Sequence, residues 1–371
     1  MRITGAKVFD LEKGFVERDV YTSGAHVAAA GDGATTLNAA GCWLIPGLTD
    51  LHFHGCMGAD FSDGTAKGLR TITDYELSRG VTQICPAGMT LAEDALTRMC
   101  AVAARHRRDA VGGADLIGIN LEGPFLSEAK KGAQNAAWLR DPDLALFERL
   151  QTAAEGLVKL VSLAPEREGA LAFIKNAGVR TSIAHTTADY DTAMAAFQAG
   201  ARQVTHLFNA MPPFSHRAPG VVGAAFDFPD SAVELICDGV HLHPSVVRAA
   251  FRLFGAERVI LISDTMRAAG MADGDYTLGG QAVVKKGSRA TLTDGTLAGS
   301  VTDLMACLKT AVSFGVPLHD AVRAAAWNPA RALGIDGEFG AVEPGKWANL
   351  VLLDQALDIR TVIFHGSPIG L

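Results

Sequence analysis

Pro46-Gly47-Leu48-Thr49-Asp50-Leu51-His52-Phe53-His54-Gly55 is the stretch on which the reading of this chain turns. Leu44 to Phe53 reads as a short buried strand, and side chains two apart on a strand share a face. That spacing places His52 and His54 together at the strand's C-terminal end. Two imidazoles on one face suit a single borderline metal ion. Two half-buried histidines bonded to backbone have the same local pattern, so the rest of the chain decides between them.

Downstream, strands and helices alternate. The strand candidates are Leu44–Phe53, Val81–Pro86, Leu116–Leu121, Val158–Leu163, Arg180–Ala184, Gln203–Thr205, Val233–Cys237 and Val259–Ser263. Helical stretches such as Thr65–Arg79, Leu91–Arg105, Gly169–Ala177, Tyr190–Ala199 and Pro244–Phe254 lie between them, with Gly80, Gly178 and Gly200 as stops. Short buried strands with regular crossovers predict an α/β fold, a (β/α)8 TIM-like barrel rather than an open doubly wound sheet. No Gly-x-Gly-x-x-Gly follows a strand and no Walker sequence occurs, which removes the main support for nucleotide binding.

The flanks differ. Ile3–Phe9, Phe15–Tyr21 and His26–Ala30 read as strands separated by turns at Gly14 and at Gly31-Asp32-Gly33. Past the eighth strand, Asp275–Leu297 alternates like a sheet, Ser300–Phe314 (with Ser300 as a cap) and Leu318–Trp327 read as helices, and Gly340–Phe364 is strand-like again. Residues 1–45 and 338–371 are therefore expected to form one small β-domain beside a catalytic barrel of residues 46–337.

Composition sets outer limits. Of 371 residues, 49% are apolar and 20% charged, which describes a water-soluble globular chain with a sizeable core. A net charge of -7 argues against a general nucleic-acid binder. The six cysteines show no C-x-x-C spacing and read as apolar fillers in a reducing compartment, Cys56 included. With no signal pattern and no membrane-length apolar run, the expected location is the cytoplasm, with no membrane partner.

Barrel enzymes carry their reactive groups at the C-terminal ends of the strands. Read off there, the chain offers His52 and His54, then Glu122, His185, His206 and Asp264, with Asp238-Gly239-Val240-His241-Leu242-His243 after the seventh strand. Glu122, His185 and His206 suit one divalent metal with a position open to water, and His52 with His54 suit a second that Glu122 bridges. Metal lowers the pKa of water and polarises a carbonyl. Asp264 is then placed to take the water's proton and pass it to a leaving amine. Arg217, on the Pro-rich loop 212–220, offers a clamp for a phosphate or carboxylate.

With these residues assembled, the chain resembles the N-acetylglucosamine-6-phosphate deacetylase family of the amidohydrolase superfamily. The resemblance rests on the opening stretch, Leu121-Glu122-Gly123-Pro124-Phe125, Lys130-Lys131-Gly132-Ala133-Gln134-Asn135, Ala184-His185-Thr186, His206-Leu207-Phe208-Asn209-Ala210-Met211, Asp238-Gly239-Val240-His241, Ser263-Asp264 and Leu297-Ala298-Gly299-Ser300. It implies one or two divalent metals, zinc first, with Fe, Co or Mn as alternatives. It implies Asp264 as the acid/base in hydrolysis of an amino-sugar phosphate acetamide. Asn209, Ala210 and the stretch Leu297, Ala298, Gly299 are implied sugar contacts. Arg217 and His241 are implied phosphate ligands shared across a homodimer interface. Gln134 stands where many members carry histidine, in a position implied to polarise the acetyl carbonyl; an amide N–H still donates but cannot become cationic. The rivals are the galactosamine epimer and cyclic amides, whose hydrolases often bridge two metals with a carboxylated lysine where this chain has Glu122. A catalytically silent sugar-phosphate sensor, the non-enzyme rival, has no need of Asp264.

Overall fold

The computed structural model describes residues 1–31 and 35–370, so most of the Gly31-Asp32-Gly33 turn lies outside the described residues. Parallel strands Leu48–Asp50, Val81–Ile84, Ile119–Glu122, Val158–Leu163, Arg180–Ile183, Gln203–Val204, Ala232–Ile236 and Val259–Ile262 succeed one another around a barrel. The ring closes just past the strand ends, where Asp264 N–H donates to the His52 carbonyl at 2.9 Å and His54 N–H to that of Thr265 at 2.7 Å. Valine, isoleucine and leucine fill these strands because both faces are covered, the inner by the barrel core and the outer by helices.

The stretch Leu44–Phe53 is two strands, not one. Trp43–Pro46 joins a six-stranded sheet built from both chain ends, and Leu48–Asp50 opens the barrel. The exchange happens at Gly47, where a Cβ would stand 2.0 Å from Thr82 Oγ1, so only glycine passes. The barrel strand stops at Asp50. His52 and His54 follow it in irregular backbone, so strand alternation does not align them.

The predicted N-terminal strands divide likewise. Ile3–Phe9 splits into Arg2–Thr4 and Lys7–Asp10, and Phe15–Tyr21 into Gly14–Glu17 and Val20–Ser23, the halves serving two different sheets. In the larger sheet, Leu350–Leu353 lies antiparallel to Trp43–Pro46; its Val8, Leu44, Leu350 and Ile363 share a buried core with Ile3 of the smaller sheet. Residues Gly274–Leu278, Gln281–Lys286 and Arg289–Leu292 form an antiparallel three-stranded flap. The helix after it begins at Leu304, capped by Asp303, which accepts from Ala306 N–H at 2.8 Å. Ser300 is not its cap; its hydroxyl donates to the Ser263 carbonyl at 2.6 Å. Leu318–Val322 continues through a π-turn at Arg323–Trp327 into Asn328–Ala332. Among the described residues, no helix is long and apolar enough to cross a membrane.

Candidate metal centre

Each reactive residue follows a strand end by a short step. Glu122 is the last residue of its strand, while His185, His206 and Asp264 each stand two residues past theirs. These three have φ of 43°, 30° and 50°, a left-handed conformation that costs a non-glycine residue about 1–3 kcal/mol. The turn aims each side chain over the barrel mouth instead of along the sheet. Gly299 lies close by, where a Cβ would come 2.9 Å from the Asp264 carbonyl oxygen.

The side chains converge on Glu122. Its Oε1 lies 3.1 Å from His185 Nε2, 3.2 Å from His206 Nε2 and 3.4 Å from His52 Nε2. Its Oε2 lies 3.3 Å from His54 Nε2, and Asp264 Oδ1 is 3.2 Å from the same nitrogen. Two overlapping ligand sets result, His52–His54–Glu122 and Glu122–His185–His206.

The hydrogen bonds behind the imidazoles test whether these residues suit a metal. His52 Nδ1 faces Glu234 Oε2 at 2.8 Å, His54 Nδ1 faces the Ala87 carbonyl at 3.1 Å, and His185 Nδ1 faces the Lys130 carbonyl at 2.8 Å. All three partners are acceptors, so each Nδ1 carries the proton and each Nε2 turns a lone pair inward. Those lone pairs meet the Glu122 carboxylate, and His185 Nε2 stands 3.1 Å from His206 Nε2. His52 Nε2 is buried without a hydrogen-bond donor. Lone pairs converge in this way only around positive charge, and the donor set fits a divalent cation.

Without a metal, the same carboxylates draw a proton onto the inward nitrogens, which a bound cation would displace. Burial by itself depresses His54, yet Asp264 and Glu122 overcome it and lift its pKa to about 10. Burial likewise pushes Glu122 upward, but His52, His185 and His206 hold it well below the ordinary carboxylate range. Asp264 also lies below its ordinary value, because His54 and His52 outweigh burial. It is therefore a carboxylate at neutral pH, the form that accepts a proton.

A cavity of about 520 Å³ opens above this centre. His54, Glu122, His185, His206 and Asp264 are in its wall, with Gln134, Asn209, Ala210, His241, Leu297 and Gly299 around them. His52 lies buried beneath, and Ala298 is enclosed behind its neighbours. Gln134 is locked in one orientation: Thr90 N–H donates to its Oε1 at 2.8 Å, so its Nε2 donates to Glu122 Oε2 at 2.8 Å. His241 Nδ1 lies 2.8 Å from Asp238 Oδ2, and that carboxylate raises the imidazole above its ordinary value despite burial. Arg217 stands apart within one chain, on an exposed loop where its Nη1 meets His216 Nε2 at 2.7 Å.

Sequence reasoning missed what orients the ligands. Glu234 is buried in the seventh strand and accepts from His52 Nδ1, from His206 N–H at 3.2 Å and from Gln203 Nε2. Gln203 Oε1 in turn accepts from Arg180 Nε at 2.6 Å. The signal was a lone carboxylate inside Val233-Glu234-Leu235, where an unpaired charge is costly. Lys131 and, from the loop after the flap, Asp294 and Thr296 also line the cavity; Lys131 lies within the Lys130–Asn135 motif, whereas no motif marks the other two.

Comparison with known proteins adds the context for this geometry. The sequence profile of the amidohydrolase family matches residues 43–369. The N-acetylglucosamine-6-phosphate deacetylase of Bacillus subtilis (strain 168) is 37% identical over 331 residues, 87% of this chain and 84% of its own length. The N-acetylgalactosamine-6-phosphate deacetylase of Escherichia coli O157:H7 is 35% identical, over 87% of each. Among solved structures, a substituted N-acetyl-D-glucosamine-6-phosphate deacetylase from Mycobacterium smegmatis in complex with N-acetyl-D-glucosamine-6-phosphate superposes with a TM-score of 0.91, at 36% identity over 99% of this chain and 98% of that one.

Proposed function

Since the chain belongs to the amidohydrolase family, we propose that it hydrolyses the acetamide of N-acetyl-D-glucosamine 6-phosphate to acetate and D-glucosamine 6-phosphate. The observation that carries this is the convergence of Glu122, four histidines and an ionised Asp264 at the base of one cavity. A binding protein would have no use for the last of these.

Glu122, His185 and His206 would hold one divalent ion and His52 with His54 a second, with zinc the first choice. Such an ion, when bound, lowers the pKa of water toward neutrality and polarises a carbonyl oxygen. Asp264 takes a proton from the attacking water and returns it to the departing amine nitrogen. Gln134, with one N–H spent on Glu122, keeps its other for the acetyl oxygen as negative charge develops there. Asn209, Ala210 and the Leu297–Gly299 segment surround the sugar. His241, whose protonated form Asp238 favours, meets the phosphate together with the partner's Arg217 in a homodimer, which accounts for an exposed Arg217 outside its own cavity. The catalytic unit is residues 46–337, flanked by the terminal β-domain of 1–45 and 338–371, and the enzyme works in the cytoplasm. The galactosamine epimer is the second reading, because the Escherichia coli relative carries that name at nearly the same identity.

Asp264→Asn tests the mechanism. It should keep bound metal and substrate affinity while turnover falls about 10²- to 10⁴-fold. A variant with near wild-type turnover would remove Asp264 from the chemistry.

A further inference from the structure

A second cavity, of about 630 Å³, opens at the opposite end of the barrel, where the fifth, seventh and eighth strands begin. Arg180, Arg258, Arg331, Asn328, Asp230 and Glu257 supply its polar wall. None of them touches the substrate cavity or a metal ligand; Arg180 alone bears on the ligands, and only through Gln203.

The three arginines are not equivalent. Arg258 is spent on the protein itself: its Nε donates to the Ser231 carbonyl at 2.8 Å, and its Nη2 to the Phe228 carbonyl at 2.9 Å. Asp230 and Glu257 act on this committed guanidinium. Arg180 donates from Nε to Gln203 and from Nη2 to the Arg202 carbonyl at 2.8 Å, which leaves Nη1 free. Arg331 donates from Nη2 to the Glu257 carbonyl at 2.6 Å, which leaves Nη1 and Nε. Among the described residues, neither Arg180 nor Arg331 has a carboxylate within salt-bridge distance. Burial pulls Arg180 down to about 10; the charge of Glu234 works against that, and the charges of Arg331 and Arg202 add to it, so the two cations of this wall repel one another with no carboxylate in direct contact with either. Asn328 adds a second irregularity. Its Nδ2 donates to the Ala256 and Val259 carbonyls at 2.7 and 2.6 Å, but its buried Oδ1 has no donor.

We propose that this cavity is a binding site for a small phosphate-bearing anion, clamped between the free faces of Arg180 and Arg331. Two guanidiniums offer more donors than one carboxylate group can use, whereas phosphate oxygens match them. The volume exceeds that of the inorganic ion and leaves room for an organic body against Leu253 and Ile260.

The site has a physical route to the metal centre. Arg180 Nε donates to Gln203 Oε1, Gln203 Nε2 to Glu234 Oε1, and His52 Nδ1 to Glu234 Oε2, a hydrogen-bonded chain through the barrel interior. An anion that draws on Arg180 changes the polarisation of each link in turn and so the ligand strength of His52.

The test is equilibrium dialysis of labelled inorganic phosphate against the metal-loaded protein, wild type beside the solvent-exposed substitution Arg331→Gln, with no sugar phosphate present because the proposed site would take it too. Wild type should bind one phosphate per chain more than R331Q, and turnover in phosphate-free buffer should be the same in both. In the same solutions, a chromophoric chelator should report a zinc dissociation constant shifted about fivefold or more further on adding phosphate to wild type than to R331Q. Equal phosphate binding by the two proteins overturns the site; an equal zinc response in both overturns the coupling. Phosphate held in the catalytic cavity is common to both proteins and cancels, so a fault in the proposed substrate shows in the turnover assay and not in this difference.

Discussion

Replacing Glu234 by glutamine changes one atom of a buried side chain that touches no substrate, and it should nevertheless strip the metal centre. Arg180 donates to Gln203 Oε1, so the Gln203 amide is fixed with its Nε2 toward position 234. A glutamine at 234 must answer that donor with its carbonyl oxygen, which turns its NH2 toward His52 Nδ1 and the His206 N–H. Both of those positions now hold donors, at 2.8 and 3.2 Å from the present carboxylate oxygen. His52 escapes only by moving its proton to Nε2, which destroys the lone pair that faces Glu122 and the metal. Losing such an outer partner costs about 10- to 100-fold in metal affinity, or ~1.4–2.7 kcal/mol. Competition with a chromophoric chelator measures this directly, and thermal unfolding of the metal-free proteins checks that the fold survives. A metal affinity within twofold of wild type would refute the orientation chain.

Arg217→Ala should raise KM for the phosphorylated sugar about 10- to 100-fold, the worth of a charged hydrogen bond, and leave KM for the unphosphorylated sugar in place; equal effects would take Arg217 out of phosphate binding. The His241 pKa is raised above its ordinary value, so the charge persists past that value and is lost only as pH climbs through the raised one. KM for the phosphorylated sugar should therefore rise on the alkaline side, and Asp238→Asn should bring that rise to lower pH, as steady-state kinetics across the range would show. A rise at the same pH in both proteins would mean that the Asp238 carboxylate does not sustain the charge.

The candidate ligands were legible because metal chemistry draws on few residue types and a barrel confines them to strand ends. His52, His54, Glu122, His185, His206 and Asp264 occupy one site, as barrel logic requires. The exchange of sheets at Gly47 was not legible, since apolar residues continue through it and the constraint comes from Thr82, a residue distant in sequence. The left-handed turns at His185, His206 and Asp264 carry no glycine to announce them. Ser300 and Asp303 are both good caps, and tertiary bonding of Ser300 to Ser263 settles which one opens the helix. The Arg180–Gln203–Glu234 chain is satisfied only across three adjacent strands, so no pattern along one strand displays it.

The most direct measurement is acetate release from N-acetylglucosamine 6-phosphate, N-acetylgalactosamine 6-phosphate and unphosphorylated N-acetylglucosamine, on protein whose metal has been counted. Turnover confined to the phosphorylated sugars and highest for the glucosamine epimer, with one or two divalent ions per chain, is the expected result. No acetate from any of the three, with metal present, would contradict the proposed reaction and turn the search to another amide.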